Sequence, residues 1–96
     1  MKKFLLLHYG FEKPTPEIMA AWGRWLEATK SSTVDMGHLP LGREISQAGT
    51  KELPLGPESI TGFTILTADS LAEAEEIAHN NPYISSIRVY EIASKL

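Results

Sequence analysis

The sequence predicts an α+β fold whose elements follow one another as β-α-β-hairpin-β-α-β, and three observations predict it. The run Phe4-Leu5-Leu6-Leu7 is apolar on both parities. Such a strand must be covered on both faces, because each large side chain left in water would forfeit roughly 1.5–3 kcal/mol. Two stretches repeat their apolar residues at helical spacing, and each opens on a hydroxyl residue suited to capping a helix. Strands rich in β-branched and aromatic residues alternate with them. Two split crossovers around an antiparallel sheet then give a ferredoxin-like βαββαβ sandwich with an inserted hairpin. In that arrangement the first and third principal strands are central and both helices lie on one face. The 96 residues fit a single domain, 1–96, of a size that buries about two-thirds of its unfolded surface.

The first strand spans Phe4 to Tyr9 and runs into His8-Tyr9-Gly10. After a loop from Phe11 to Pro14, Thr15-Pro16 supplies a capping hydroxyl and a proline at the first helical position, where a missing N–H costs nothing. Ile18, Trp22, Trp25, Leu26 and Thr29 recur at intervals of three and four and form the apolar face, while Arg24, Glu27 and Lys30 point elsewhere. Lys30 falls in the last turn, where a cation suits the helix dipole. Thr33 to Leu39 reads as a weaker strand, with Val34, Met36 and His38 on one side and Asp35, Gly37 and Leu39 on the other. Between Pro40 and Pro57 the composition shifts to glycine, proline and polar residues. There, residues 43–47 and 50–53 pair as a hairpin around Ala48-Gly49. A segment this long with so few apolar anchors is where a lid or a partner contact would lie.

Thr61 to Thr67 is a strand by its β-branched and aromatic content. Ser70-Leu71-Ala72-Glu73 follows, with the spacing that lets hydroxyl and carboxylate satisfy two orphan N–H groups at a helix start. Leu71, Ala74, Ile77 and Ala78 form the inward stripe, and Asn80-Asn81-Pro82 ends the helix, asparagine tolerating a left-handed cap. The last strand, Ile84 to Ile92, sets Ile87 and Val89 against Arg88, Tyr90 and Ile92. No third helix is left to cover the second sheet face, so a homodimer packed sheet against sheet is expected.

Nine basic and twelve acidic residues, for a formal charge of −3, lie scattered without the basic stripe that neutralises phosphates. Nucleic acid is therefore not an expected partner. The absence of cysteine excludes disulfides, thiolate metal sites and a cysteine nucleophile, and fits a reducing cytoplasm. The apolar run after Lys2-Lys3 is too short for a secretory signal, and nothing approaches the roughly 20 residues of a membrane span, so a cytoplasmic protein without membrane contact is expected. No cofactor is expected.

Few residues are candidates for chemistry. His8 has an ordinary pKa near 6.5, suited to proton transfer at neutral pH; the alternative is a structural imidazole capping a strand end. Asp35 is its candidate partner across the sheet. Asp35 and His38 themselves lie three apart on one strand, hence on opposite faces. A His8–His38–Asp35 metal site lacks diagnostic spacing, and no metal is expected. Trp22 and Trp25 either wall an aromatic pocket or pack the core. Arg88 and Tyr90 either hold an anionic or phenolic ligand or pair across a dimer interface. His79, in the last turn of the second helix, is accounted for by the unpaired carbonyls there. His38, Trp25, Arg88 and Tyr90 are thus the candidate ligand-binding set, and His8 with Asp35 the candidate catalytic pair.

Several segments, in order, carry a resemblance: Phe4 to Tyr9, the paired tryptophans, Val34-Asp35-Met36-Gly37, Gly49-Thr50-Lys51-Glu52 leading to Gly62-Phe63, Asp69 to Ala74, and Asn81-Pro82-Tyr83. Together they resemble the YCII-related family of small dimeric α+β-barrel proteins, and less closely the DGPF-domain proteins, over essentially the whole chain. The resemblance implies a cleft near the dimer interface that carries a His–Asp pair in some members. A few relatives are lyases that remove halide from hydroxylated aromatic rings. Two departures stand out. The family's aspartate commonly belongs to an Asp-Pro-aromatic turn, which here reads Asn81-Pro82-Tyr83, and its helix histidine has no counterpart between Pro16 and Lys30. Asparagine cannot act as a carboxylate base, so that pair does not carry over to these positions.

Three classes of function follow: a lyase-like or proton-transfer enzyme on a small ring-containing or acidic metabolite, a non-catalytic ligand-binding or regulatory dimer, and a protein-interaction module. His8 discriminates among them. A ring facing a cavity within reach of a carboxylate favours the enzyme; a sealed ring bonded only to backbone favours the other two.

Overall fold

The computed structural model describes residues 1–93. The elements are β1 (Lys2–Tyr9), α1 (Pro16–Thr29), β2 (Thr33–His38), β3 (Gly42–Ser46), β4 (Gly49–Leu53), β5 (Ile60–Ala68), α2 (Leu71–His79) and β6 (Ser86–Ile92). Four strands form an antiparallel sheet in the order β2-β5-β1-β6, and β3 and β4 form a separate hairpin. With the two helices this is the ferredoxin-like α+β arrangement, β1 and β5 being the central strands.

Register decides what each side chain faces. Phe4, Leu6 and His8 of β1 stand opposite Leu66, Thr64 and Gly62 of β5, and Leu6 and His8 stand opposite Val89 and Ile87 of β6. This is the face beneath the helices. Its core comprises Phe4, Leu6, Leu66 and Ala68 from the sheet, Trp25 from α1, and Ala74 and Ala78 from α2, with Trp22, Leu26, Ile77, Ile87 and Val89 packed around them. The other parity carries Leu5, Leu7 and Tyr9, Phe63 and Ile65, and Arg88, Tyr90 and Ile92. Among the described residues no helix covers that face. The two-sided apolar first strand is thus answered on one side by the helices and left bare on the other.

The caps form with small differences from the sequence reading. Thr15 Oγ1 accepts from the Ile18 N–H at 3.2 Å, and Ser70 Oγ accepts from the Glu73 N–H at 3.2 Å. The Glu73 carboxylate takes the Asp69 N–H, at 3.4 Å, rather than that of Ser70, so the capping box closes one residue wide. Lys30 lies at the C-cap of α1 rather than in its last turn, and its ammonium pairs with Glu27 at 2.9 Å. α2 ends without a left-handed residue: Asn80 keeps helical dihedrals, and its side-chain Nδ2 donates to the Glu76 carbonyl at 3.2 Å. Leu71, expected in the inward stripe, is exposed, and Ala74 and Ala78 carry the buried face.

β2 joins the sheet with a register shift between Thr33 and Asp35, so Val34 opposes no residue of β5 and is exposed. Gly37 lies directly over Phe63: a Cβ there would stand 2.7 Å from the ring. Every residue of β3 and β4 is exposed. The hairpin is held by its own ladder and by one ion pair on each side, Arg43–Glu52 at 3.7 Å and Lys51–Glu44 at 3.8 Å.

Candidate functional site

His8 lies near the end of β1 on the helix-covered face, and its surroundings are aromatic. Its ring meets Trp22 edge-on at 5.2 Å and Trp25 at 6.3 Å, and the two indoles meet each other at 5.7 Å. Helical spacing of three sets both tryptophans over the same imidazole. Trp25 Nε1 donates to the Ile77 carbonyl at 3.1 Å, tying α1 to α2 above the ring. His8 Nε2 lies 2.9 Å from Thr64 Oγ1. Thr64 is fully buried and His8 is 8% exposed, so each is the other's main polar neighbour. His8 Nδ1 is buried with no partner.

Across the sheet the row reads His38–Gly62–His8, because Gly62 pairs with both histidines. With no side chain between them, His38 acts on His8 through space. A Cβ on Gly62 would stand 3.0 Å from the Gly37 carbonyl and 3.8 Å from His8 Cδ2. Burial first, and the charge of His38 second, push the His8 pKa down from 6.5 to about 4. The ring is therefore neutral at physiological pH.

This shift sets a pH dependence of stability. A folded-state pKa below the unfolded value means the unfolded chain binds the proton more readily, so the contribution of His8 is complete above pH 6.5 and drains away as pH falls toward 4. The loss over that window is on the order of 3 kcal/mol, from 1.36 kcal/mol per pKa unit. Urea unfolding at pH 7 and pH 4.5 checks it. The fall should shrink in a His8→Gln variant, which has no ring to titrate.

The sheet divides the sequence-derived candidates into two sets. His8, His38 and Trp25 stand on the helix-covered side. Asp35 faces the other way, opposite Ile65, as do Arg88, opposite Leu7, and Tyr90, opposite Leu5. A His8–Asp35 pair across the sheet is therefore not formed within the chain, and neither is the three-residue set with His38. Asp35 Oδ1 instead accepts the Met36 N–H at 2.8 Å. The Arg88 guanidinium lies 4.8 Å from the centre of the Tyr9 ring, and hydrogen bonding with Tyr90, then the nearness of Tyr9, holds it above its ordinary pKa. Among the described residues no group of three or more His, Asp or Glu could hold a metal ion, and no helix is long and apolar enough to cross a membrane.

Of two open clefts among the described residues, the larger, about 580 Å³, lies at the base of the hairpin between Leu41, Arg43, Glu52 and Leu55. The smaller, about 340 Å³, runs between α2 and β6 over Ala78, Ile87 and Val89, with Tyr83 and Ser85 at one end. Its lining residue Ile87 is the β6 neighbour of His8, but His8 itself lines neither cleft.

The YCII-related domain family matches residues 3–94. The chain belongs to that family. No curated protein matches it. Among solved structures it is similar to 5-chloro-2-hydroxyhydroquinone dehydrochlorinase (TftG) from Burkholderia phenoliruptrix, determined in complex with 2,5-dihydroxybenzoquinone. The TM-score is 0.60 at 21% identity, over 95% of this chain and 93% of that one. At that identity the likeness carries the fold.

The placement of two residues of this YCII-related chain is not legible in local sequence patterns. Thr64 reads in the sequence only as a strand residue, because its bond to His8 spans 56 positions and depends on register. Asn81 reads only as a helix terminator. It is 4% exposed, and neither its amide nitrogen nor its amide oxygen has a partner. Its signal was present in the sequence as the departure from the Asp-Pro-aromatic turn.

Proposed function

We propose that this YCII-related chain acts as a homodimer that binds a small ring-bearing molecule and moves a proton on it in lyase-like chemistry, with His8 as proton acceptor. The observation that carries this reading is a buried, neutral imidazole with an unpaired Nδ1, packed edge-on against two indoles. A neutral ring has a lone pair to accept a proton, which an imidazolium lacks. Apolar and aromatic walls suit a flat ring, with few polar groups to orient it. The similarity to TftG, whose structure holds a hydroxylated quinone, supports the ligand class. Trp25 and His38 belong to the ligand side of this reading. Asp35, Arg88 and Tyr90 belong to the bare sheet face, where a second copy would meet them. A cytoplasmic setting accords with the reading.

One observation favours a second reading, a non-catalytic ligand-binding or regulatory dimer. The side-chain partner of His8 is a threonine hydroxyl and no carboxylate bonds to it, so nothing orients an imidazolium by charge. Incubation with chlorinated and unchlorinated hydroxyhydroquinones, followed by chloride release and ring absorbance, separates the two. Turnover lost on replacing His8 supports the enzyme. Saturable binding without turnover supports the second reading, and neither binding nor turnover overturns both.

A further inference from the structure

The bare sheet face is a grid of side chains whose rows run across the strands. One row reads Asp35, Ile65, Leu5, Tyr90 from β2 through β5 and β1 to β6, and the next reads Gly37, Phe63, Leu7, Arg88. The two middle strands are apolar in both rows. Charge stands only on the outer strands, negative on β2 and positive on β6. Asp35 and Arg88 are both exposed, and neither belongs to an ion pair among the described residues. Arg88 is nonetheless held in place, its guanidinium 4.8 Å from the centre of the Tyr9 ring. The third charged residue of this face, Lys3, stands in the end row of the sheet, between Thr67 and Ile92.

The chain spans 18 Å along its shortest axis, the thickness of one helix layer on one sheet. A second copy laid on the apolar face would add a sheet about 10 Å away with its strands nearly aligned. Two two-fold axes in the plane of the interface can do this, and charge tells them apart. An axis across the strands lays each outer strand on its own copy, bringing Asp35 toward Asp35 and Arg88 toward Arg88. An axis along the strands reverses each row onto itself and lays β2 on β6. Ile65 then meets Leu5, Phe63 meets Leu7, and Asp35 meets Tyr90. Arg88 comes over Gly37, where the Phe63 ring leans, and its nearest anion is Asp35, one row along and about 7 Å away in the plane of the sheet. Only this second axis joins opposite charges, and symmetry makes the contact twice.

We infer that the bare sheet face docks on a second copy of this chain about a two-fold axis parallel to the strands, with Asp35 of each copy paired to Arg88 of the other. This pairing rests on the homodimer proposed above and adds its register: β2 of one copy lies on β6 of the other. The apolar middle of the face supplies the adhesion. The two ion pairs at its margins choose the orientation, because the competing axis sets like charges together. Arg88 and Asp35 are then interface residues, not ligand contacts.

Sedimentation over a dilution series, on wild type, Asp35→Arg, Arg88→Asp and the double exchange, tests this. Each single variant sets like charges together at both contacts, so its homodimer dissociation constant should rise about 10-fold or more. An equimolar mixture of the two single variants should recover the wild-type affinity as a heterodimer, since every facing pair is again opposite in sign. The double exchange should recover it as a homodimer. Both positions are exposed, so the variants should fold, which circular dichroism checks. Asp35→Asn, which keeps an acceptor for the Met36 N–H, probes the same contact without a reversal and should weaken the dimer less. Single variants that dimerise as tightly as wild type would overturn the pairing and leave the homodimer standing, because an axis across the strands faces like charges before and after each exchange. Weakened single variants with no recovery in the mixture or the double exchange would also overturn it, making the two residues packing contacts. A wild-type monomer at micromolar concentration would overturn the homodimer and the pairing together.

Discussion

Replacing His8 by glutamine should lower turnover of a hydroxylated ring substrate by about 10²-fold or more, the ordinary size of a lost proton-transfer group, while stability at pH 7 changes little. The substitution is chosen from geometry. The Nε2 atom meets Thr64 Oγ1 at 2.9 Å, and a glutamine amide reaches about as far from the backbone, so the buried hydroxyl keeps a partner. His8→Ala removes that partner as well, and should cost about 1–3 kcal/mol through the stranded threonine. Steady-state rates and urea melts on both variants separate proton transfer from architecture. Equal turnover in wild type and His8→Gln would end the catalytic role of His8. The pH profile adds a second readout: the acid limb of kcat/KM should follow the free enzyme's imidazole toward pH 4, not 6.5.

The second large effect is expected on the bare sheet face. Wild-type protein at micromolar concentration should sediment as one species of twice the 10.6 kDa chain mass. Ile65→Glu should give a folded monomer, with the dimer dissociation constant raised about 10²-fold or more, because each copy would have to bury an unpaired carboxylate. Ile65 stands between Leu5 and Asp35, so a new carboxylate finds no cation directly opposite and meets a like charge instead. Within a single chain the position is only half-buried, and the variant should still fold. A wild-type monomer at these concentrations would remove the homodimer.

Much of the architecture was legible. Caps at Thr15 and Ser70, periodicity in both helices and the Gly49 turn are local signals, and each appears within a residue or two of its expected place. Face assignment was legible only strand by strand. Alternation tells that Arg88 and Tyr90 share a side and that Asp35 and His38 do not, but not which side of one strand meets which side of another. That takes the pairing register. Register placed His8 with His38 and parted it from Asp35. The Thr64 bond, the Trp25–Ile77 tie and the burial of Asn81 likewise join residues far apart in sequence, and no local pattern carries them. Leu71 shows the opposite failure: it has the right periodicity, yet it sits in the first turn of α2 at the sheet's margin, where no neighbour covers it.

The central place of β1 governs the order in which the chain can fold. Phe4 pairs on one side with Leu66 and on the other with Glu91, so the earliest strand is completed last. Closing loops of that length is costly before any contact rewards it, which makes folding slow for a chain of this size. On the ribosome, Phe4, Leu5, Leu6 and Leu7 emerge well before either partner strand and stay exposed until β5 arrives. In that interval they form a sticky segment with two unpaired edges, open to other chains. The lysines at its start, Lys2 and Lys3, place charge beside it, where it discourages such pairing. Aggregation during synthesis should therefore track residues 2–9 more closely than any other part of the protein.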